Sequence, residues 1–275
     1  MSLAELPSLR ESLEAHGLWA KKAFGQHFLL DLNITRKIAR LAAVGAGDVV
    51  IEVGPGPGGL TRALLETGAR VIAVEKDERF RPLLEDLARA SGRLELVFAD
   101  ALRVDEAALA GGAAHLVSNL PYNVGTPLLI KWLAGPWTPT SLTLMFQKEV
   151  AERIVAAPGS DAYGRLGVLA QATARAHLVM EAPARAFTPP PNVDSAVVRL
   201  EPRADRPSPE LLDALQTLTA AAFGQRRKML RSSLKMLGGE DLVRAASLDP
   251  QARAEVVDVP GFLALAGTWI ERRAA

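Results

Sequence analysis

Ile51-Glu52-Val53-Gly54-Pro55-Gly56-Pro57-Gly58-Gly59-Leu60-Thr61 is the stretch that decides the fold of this chain. The residues that lead into it, from Asp48 onward, are apolar and β-branched enough to predict a buried parallel strand. Leu60, Ala63 and Leu64 repeat at helical spacing directly behind the glycines. A strand, a glycine turn and a helix N-terminus in this order predict a nucleotide-binding pocket.

The spacing of the glycines is compatible with two kinds of nucleotide. Gly54 and Gly56 combine with Gly59 to give the dinucleotide pattern G-x-G-x-x-G, and with Gly58 to give G-x-G-x-G. The two prolines between them have no backbone N–H, so the loop offers few donors to a pyrophosphate. S-adenosylmethionine (SAM) has no phosphate and needs close backbone approach, so the turn favours SAM. A dinucleotide and a turn without any ligand remain as alternatives.

The composition indicates a globular protein with one large core and a small satellite domain. The chain has 275 residues, of which 49% are hydrophobic, and it contains no cysteine. A disulfide framework and a thiolate zinc site are therefore excluded, and a cytoplasmic location is expected. No apolar run reaches the roughly 18 residues of a membrane span, and the N-terminal segment carries acids, unlike a signal peptide. We expect neither a membrane partner nor a metal.

Strands and helices are predicted to alternate, which indicates an α/β fold with a parallel, helix-covered sheet. The predicted strands are residues 48–53, 70–75, 94–98, 115–119, 141–146, 176–180 and 195–200. Helices are predicted before, between and after them, at residues 32–42, 60–67, 78–90, 148–156 and 166–174. The ligand is expected across the carboxyl ends of the strands.

Two acids follow predicted strands at the edge where the ligand is expected. Glu75 ends the second strand about 20 residues after Gly54, the distance at which an acid accepts hydrogen bonds from ribose hydroxyls. Asp100 follows the third strand. Its carboxylate is placed either to accept from an adenine amino group or to cap a helix N-terminus, and its position alone does not decide between these roles.

The chain is predicted to form two domains. Residues 201–209 contain three prolines and several charges, which is typical of a linker. We therefore expect a SAM-binding catalytic domain at residues 1–201, with the basic and aromatic segment 21–30 as its lid. A helical domain is expected at residues 202–275, with helices at 209–223, 225–237, 240–246 and 260–272.

The stretch Ser118-Asn119-Leu120-Pro121-Tyr122-Asn123 ends the fourth predicted strand and supplies chemistry for methylating an amino nitrogen. An exocyclic adenine nitrogen is a poor nucleophile because its lone pair is delocalised into the ring. The Asn119 side-chain oxygen and the Leu120 carbonyl, which the Pro121 turn leaves pointing outward, can accept hydrogen bonds from the two N–H groups of this nitrogen. Tyr122 can stack on the base. A plain strand-ending turn is the alternative, which the preceding SAM-type turn disfavours.

A basic cluster in the second predicted domain indicates an anionic partner, although the formal net charge is only +1. Between Asp213 and Glu240 the chain has no acid. If residues 225–237 form a helix, Arg227, Arg231 and Lys235 line one face, and Phe223, Leu230, Leu234 and Leu237 face the core. We predict that the cluster contacts RNA phosphates through Arg226, Arg227, Lys228, Arg231 and Lys235.

These motifs, in their order along residues 20–262, resemble the small-subunit ribosomal RNA adenine N6,N6-dimethyltransferase family. The resemblance also rests on Gln26-His-Phe-Leu29, Val74-Glu75, Asp100-Ala101, Phe146-Gln-Lys-Glu-Val-Ala-Glu-Arg153, Ala162-Tyr-Gly-Arg165, Phe187-Thr-Pro-Pro-Pro191, Val193-Asp-Ser-Ala196 and Phe223-Gly-Gln-Arg-Arg-Lys228. It implies a Rossmann-like class I SAM-dependent methyltransferase that acts as a monomer. Its substrate would be two adjacent adenosines in a hairpin loop near the 3′ end of 16S rRNA, on an assembling small subunit.

The resemblance also implies roles for individual residues. Contacts to the cofactor would come from His27, Leu29, Gly54, Gly56, Glu75, Asp100, Ala101 and Asn119. Asn119 would be shared with the target adenine, on which Tyr122 would stack, with Phe187 on its other face. His27 is a departure, because relatives often have asparagine there; both side chains offer a donor and an acceptor, so cofactor binding is expected to survive.

Three alternatives to this function remain at the level of sequence. The related large-subunit rRNA adenine methyltransferases share the catalytic motifs, but the helical domain with its Phe-Gly-Gln-Arg-Arg-Lys motif favours the small-subunit enzyme. A ribosome-assembly factor without turnover would bind the subunit but transfer no methyl group. A dehydrogenase is the most distant alternative and would bind NADH.

Overall fold

The computed structural model describes residues 3–18 and 27–274 of the protein. The chain folds into two compact units, each of which is built from segments that are distant in sequence. The first consists of Met1–Leu129, Pro139–Ala151 and Leu178–Leu200. The second consists of Ile130–Thr138, Glu152–His177 and Glu201–Ala275. A single boundary at residue 201 therefore separates only the last part of the chain, because two internal segments also belong to the second unit.

The secondary structure of the described residues alternates as predicted through most of the first unit. The strands are β1 (Phe28–Leu29), β2 (Val49–Val53), β3 (Arg70–Glu75), β4 (Leu94–Phe98), β5 (His115–Asn119), β6 (Ser141–Gln147), β7 (Ala174–Ala182), β8 (Phe187–Thr188) and β9 (Ser195–Pro202). The helices are α1 (Leu9–Ala15), α2 (Leu32–Ala42), α3 (Gly59–Glu66), α4 (Arg81–Ser91), α5 (Glu106–Ala110), α6 (Gly125–Ala134), α7 (Lys148–Val155), α8 (Arg165–Thr173), α9 (Pro209–Gly224), α10 (Leu230–Ser233), α11 (Gly239–Ala245) and α12 (Val259–Ala274).

The main sheet has the strand order β4-β3-β2-β5-β6-β9-β7. Strands β2 to β6 run parallel to one another, and β9 runs antiparallel to β6. The carboxyl ends of the parallel strands therefore lie at one edge of the sheet. Because β9 is reversed, its first residue, Ser195, lies at the same edge, opposite Gln147. The α/β fold predicted from the alternation is confirmed.

Apolar side chains on both faces of the central strands explain why the sheet forms. Ile51, Ile72 and Leu116 are fully buried, as expected for parallel strands covered on both faces. One core cluster joins α2 and α3 to the sheet through residues that include Ile38 and Leu64. The helical repeat found behind the glycine turn thus forms the face of α3 that packs against the sheet.

The second unit has its own core, built from α8, α9, α11 and α12. Leu215, Leu218, Phe262 and Leu265 are almost fully buried in it. Tyr163 is also buried, and its hydroxyl donates to the Val257 carbonyl at 2.9 Å. Burial raises the pKa of this hydroxyl.

Residues 225–237 do not form the predicted continuous helix. The segment turns after α9, Met229 forms an isolated bridge with Arg253, and only Leu230–Ser233 and a 3-10 turn at Lys235–Leu237 follow. The Leu230 N–H is bonded to the Ala252 carbonyl at 2.8 Å, so backbone pairing with the chain near residue 252 replaces the helical hydrogen bonds. The prediction that Arg227, Arg231 and Lys235 line one face of a helix is therefore wrong. Leu230 and Leu234 are nevertheless buried as expected.

Several short elements were missed by the periodicity of the sequence. Helix α6 contains Pro127, which suggests a break but is tolerated in a first turn, where the missing N–H would have no helical partner. Strands β1 and β8 are two residues each and, in the part of the chain that the structure describes, form a separate two-stranded sheet. Within the described ranges, no helix is both long and apolar enough to cross a bilayer.

Candidate active site

The glycine turn is shaped so that only glycine fits its first position. Gly54 has φ +70°, and its N–H donates to the Val74 carbonyl at 2.9 Å. A Cβ at this position would lie 3.2 Å from Cδ of Pro121. The left-handed backbone and the tight contact with Pro121 would each strain any other residue at this position. The turn after β2 and the loop after β5 are therefore packed against each other.

A cavity of about 800 Å³ opens beside this turn, at the carboxyl ends of β2, β3 and β4. It is lined by Glu75 and Asp100, the two acids predicted to contact the cofactor, together with Gly54 and Ala101. Lys76 and the half-exposed Leu102 complete the side near Asp100. The structure thus brings together four of the residues that the sequence assigned to the cofactor.

The Glu75 carboxylate is held by backbone donors and is only 8% exposed. Its Oε2 accepts from the Gly56 N–H at 3.0 Å, and its Oε1 accepts from the N–H groups of Lys76 and Asp77, each at 2.8 Å. Burial raises the pKa of Glu75, and the three hydrogen bonds act in the opposite direction. The acid that ends β3 is therefore fixed in place and tied directly to the glycine turn.

Asp100 combines a helix cap with a place in the cavity wall. Its Oδ1 accepts from the Leu102 N–H at 3.1 Å and caps the 3-10 turn Ala101–Arg103. Lys76 Nζ donates to Oδ2 at 2.8 Å, and this hydrogen bond is the main reason that the pKa of Asp100 is lowered. Asp100 therefore caps a helical turn, as one of the two predicted roles requires. Because it also lines the cavity, the hydrogen bond to the adenine amino group stays a proposal.

The Asn119-Leu120-Pro121-Tyr122 loop lies at the end of β5, next to the cofactor cavity. A second cavity, of about 80 Å³, is lined by this loop together with His27, Phe28, Gly54, Gly56, Glu75 and Phe80. Leu120 itself is 2% exposed. The two stretches that the sequence singled out, the glycine turn and the Asn-Leu-Pro-Tyr loop, therefore share one site.

The Tyr122 ring is held at its face and at its hydroxyl. The His27 ring stacks on it with a centroid distance of 5.6 Å and an interplanar angle of 29°. His27 Nδ1 lies 2.8 Å from the Pro189 carbonyl, to which it can donate. The Tyr122 hydroxyl is 2.7 Å from Ser195 Oγ. His27 thus contacts the loop directly. The rest of the predicted lid, residues 21–26, lies outside the described residues.

Leu29 and Phe187 form a buried support beneath the site. They are opposite each other in the β1–β8 pair, at 5% and 2% exposure. Leu29 lines a small cavity of about 30 Å³ under the glycine turn. Phe187 packs in the core cluster that contains Leu29. Its stacking on the target adenine stays a proposal.

Glu52 is a residue of the site that the sequence reasoning missed. It is 1% exposed, and its Oε2 and the Thr61 hydroxyl have no partner in hydrogen-bond geometry among the described residues. Burial raises the pKa of Glu52 to about 8, the charge of Glu75 adds to the rise, and the nearby Thr61 opposes it. An acid inside an otherwise apolar strand, two residues before the glycine turn, was the signal that could have identified it.

The raised pKa of Glu52 makes a prediction about stability. The folded protein keeps this proton up to pH about 8, whereas an unfolded chain releases it near the ordinary value of 4.5. Because the folded state holds the extra proton in this window, the free energy of unfolding should fall by about 1.4 kcal/mol per pH unit as pH rises, and level off above it. In urea unfolding from pH 5 to pH 8, Glu52→Gln should remove this slope. An exposed control, Glu14→Gln, should keep it, and a slope retained in Glu52→Gln would contradict the assignment.

The residues of the two cavities fit SAM. The left-handed turn admits close backbone approach, and Glu75 and Asp100 offer acceptors from the ends of the neighbouring strands β3 and β4. Glu52, whose Oε2 is unpartnered among the described residues, lines the small cavity together with Asn119. Pro55 and Pro57 contribute no N–H groups for phosphates. In the described residues, no cluster of three or more His, Asp or Glu side chains is arranged to hold a metal ion.

Two solved structures share this fold over nearly their whole length. A dimethyladenosine transferase from Plasmodium falciparum superimposes with a TM-score of 0.73 at 26% identity, covering 87% of this chain and 96% of the other. The 23S rRNA methyltransferase ErmE superimposes with a TM-score of 0.68 at 26% identity, covering 88% and 99%. The fold and the site thus define a class I SAM-dependent methyltransferase.

The comparison of sequences narrows this class. The model of the family described as ribosomal RNA adenine dimethylase matches residues 17–266. The chain therefore belongs to the ribosomal RNA adenine dimethylase family, and its cofactor is SAM. A relative from Phenylobacterium zucineum, named ribosomal RNA small subunit methyltransferase A, is 82% identical over 100% of this chain and 97% of its own length. A relative of the same name from Caulobacter vibrioides is 71% identical over 90% and 96%.

Proposed function

We propose that the protein dimethylates the N6 amino groups of two adjacent adenosines in a hairpin loop near the 3′ end of 16S rRNA, during assembly of the small subunit. The observation that carries this proposal is the position of Asn119-Leu120-Pro121-Tyr122 at the carboxyl end of β5, sharing a cavity wall with Gly54 and Glu75. The names of the relatives that are 82% and 71% identical support the choice of the small subunit.

The cofactor would be held mainly by the turn after β2 and by the acids after β3 and β4. Glu75 would accept from the ribose hydroxyls, and Asp100, next to Ala101, from the adenine amino group. Gly54 and Gly56 would allow the backbone to approach, with His27 and Leu29 on the lid side. When bound, SAM supplies an electrophilic methyl group on a sulfonium.

The chain's own residues would activate and orient the target nitrogen. The Asn119 side-chain oxygen and the Leu120 carbonyl accept hydrogen bonds from the two N–H groups of the adenine amino group. These hydrogen bonds help to free the lone pair of the nitrogen. Tyr122 stacks on a base that has been swung out of its stack. Direct displacement depends on positioning and electrostatics, and the methylated nitrogen loses its proton afterwards, so no side-chain base is needed.

RNA binding is proposed for the exposed cations of the second unit. Arg227, Lys228, Arg231 and Lys235 are exposed in the structure. Arg226 differs, because its guanidinium is bonded to Glu255 at 3.2 Å and to the Asp161 carbonyl at 2.8 Å. We therefore assign Arg226 to the fold of this unit and the other four residues to rRNA phosphates.

Neutralising two of these cations should weaken RNA binding in a salt-dependent manner. For Arg231→Gln/Lys235→Gln, the slope of log affinity against log salt should fall by about two, because each lost phosphate contact releases about one counterion fewer. Filter binding of a small-subunit rRNA fragment between low and moderate salt measures this slope. Arg244→Gln/Arg272→Gln removes the same charge from the same unit and should leave the slope nearly unchanged. Equal slopes for wild type and Arg231→Gln/Lys235→Gln would refute the phosphate contacts.

The remaining features of the proposal follow from its substrate. Ribosomal subunits assemble in the cytoplasm of bacteria, which supports a cytoplasmic location. Displacement at a sulfonium methyl needs no Lewis acid, so we propose a metal-free reaction. The whole set of motifs lies on one chain, which supports action as a monomer.

A large-subunit specificity is the second candidate, and the structural similarity to ErmE favours it. Undermethylated small subunits and deproteinised 23S rRNA, each incubated with the protein and tritiated SAM, separate the two candidates. Label in 16S rRNA alone supports the proposal, and label in 23S rRNA alone supports the second candidate. Subunit binding without label would indicate an assembly factor.

A further inference from the structure

The hydroxyl of Ser195 is a buried polar group to which the methyl-transfer chemistry assigns no role. Ser195 is 0% exposed, and the next residues of its strand, Ala196, Val197 and Val198, are fully buried apolar side chains. Its Oγ is 2.7 Å from the Tyr122 hydroxyl. The stretch Val193-Asp194-Ser195-Ala196 thus places a buried hydroxyl at the start of β9, within hydrogen-bond distance of Tyr122.

The topology of the sheet brings Ser195 to the catalytic edge. Tyr122 follows β5, which pairs with β6 in parallel, and β6 pairs with β9 in antiparallel orientation. The hydrogen bond between the two hydroxyls therefore spans β6 and joins the loop after β5 to the start of β9. The Lys148 N–H donates to the Asp194 carbonyl at 2.9 Å, so the backbone beside Ser195 is itself fixed.

A buried hydroxyl costs free energy unless it forms a hydrogen bond. The bond to Tyr122 offsets this cost, and it restrains the far end of the tyrosine ring. The His27 ring contacts one face of the same ring at a centroid distance of 5.6 Å. The ring plane of Tyr122 is thus defined by its backbone at one end, by Ser195 at the other and by His27 at one face.

We propose that Ser195 is a positioning residue for methyl transfer, whose hydroxyl holds the Tyr122 ring in the plane on which the target adenine stacks. This inference rests on the proposed stacking role of Tyr122. A base stacked on a tilted ring would present its amino nitrogen away from the acceptors of Asn119 and Leu120. Displacements of about 1 Å at a reacting atom lower rates by up to about 10²-fold, so the restraint acts on the rate of the chemical step.

Ser195→Ala and Tyr122→Phe each remove one side of this hydrogen bond. We expect Ser195→Ala to lower kcat for rRNA methylation about tenfold, the size of one neutral hydrogen bond, with KM for rRNA changed less than about twofold. In the Tyr122→Phe background, the same substitution should change kcat by less than about twofold, because the bond is already absent. Ser141→Ala is the matched control: this serine is 3% exposed and its Oγ lies 2.8 Å from His115 Nδ1, at the start of β6. Ser141→Ala should lower the melting temperature about as much as Ser195→Ala does, and it should keep wild-type kcat.

A second measurement on the free protein does not depend on rRNA. The chain has only two tyrosines, Tyr122 and Tyr163. With ¹³Cζ-labelled tyrosine, Ser195→Ala should shift the Tyr122 resonance and leave that of Tyr163 in place, whereas Ser141→Ala should shift neither. An unchanged Tyr122 resonance would overturn the hydrogen bond.

If Ser195→Ala lowered kcat equally in the wild-type and the Tyr122→Phe backgrounds, the positioning role of Ser195 would be overturned. A wild-type protein that methylates 23S rRNA, or no rRNA, would refute the proposed function and leave the resonance test standing.

Discussion

Asn119→Ala is expected to lower kcat for methyl transfer by about 10²- to 10³-fold, the cost of removing one positioned group that acts on the reacting atoms. Asn119 ends β5 at the edge where the cofactor cavity and the Tyr122 loop meet. Alanine removes the side-chain oxygen that accepts from the target amino group, so the lone pair of the nitrogen stays delocalised. Single-turnover transfer of tritium from labelled SAM to undermethylated small subunits measures the effect.

The binding of each substrate separates a catalytic role of Asn119 from a structural one. The dissociation constant for SAM should rise by less than about tenfold, because Asn119 is one of several groups at the cofactor. An exposed asparagine on α2, Asn33, provides the control, and Asn33→Ala should transfer methyl groups at the wild-type rate. Methyl transfer by Asn119→Ala at the rate of Asn33→Ala would show that the amide takes no part in the reaction.

Glu75→Gln is expected to weaken SAM binding by about 10²-fold. A carboxylate that accepts from two ribose hydroxyls contributes charge-assisted hydrogen bonds of about 1.5–3 kcal/mol, and an amide loses one acceptor and the charge. The amide nitrogen would also face a backbone N–H, either that of Gly56 or those of Lys76 and Asp77. Isothermal titration with SAM and with S-adenosylhomocysteine measures the loss, since both ligands carry the ribose.

The raised pKa of Glu75 gives this prediction a dependence on pH. Because only the carboxylate accepts from both hydroxyls, wild-type affinity for SAM should decline on acidification at a higher pH than an ordinary glutamate would produce. Glu95→Gln, on the exposed surface of β4, is the control and should keep both the affinity and its pH profile. If Glu75→Gln bound SAM as tightly as Glu95→Gln, the ribose role would be lost.

Much of the sheet was predictable because its residues repeat simple patterns. The residues of β3, β4 and β5 were predicted to the residue: β3 and β4 are mainly apolar runs that begin two residues after a glycine, and β5 ends just before Leu120-Pro121. The glycine turn also indicated the position of the site. In the structure Gly54 contacts Pro121, which brings together the glycine turn and the Asn119–Tyr122 loop that the sequence had identified separately.

What the sequence did not reveal depends on contacts between distant residues. Residues 225–237 have a helical pattern, but the pairing of Met229 with Arg253 gives the backbone other partners. Phe187 lies opposite Leu29 in the β1–β8 pair and is buried, which its motif alone did not indicate. The bond between Ser195 and Tyr122 joins residues 73 positions apart, and local patterns do not register it.

Mapping of N6,N6-dimethyladenosine in rRNA tests the central claim most directly. Undermethylated small subunits are incubated with the protein and SAM, and the rRNA is then digested and analysed by mass spectrometry. We predict two adjacent dimethylated adenosines in one hairpin loop near the 3′ end of 16S rRNA, and a yield about 10²- to 10³-fold lower with Asn119→Ala over the same short incubation. Unmodified 16S rRNA, or dimethyladenosine at any other site, would contradict the proposed function.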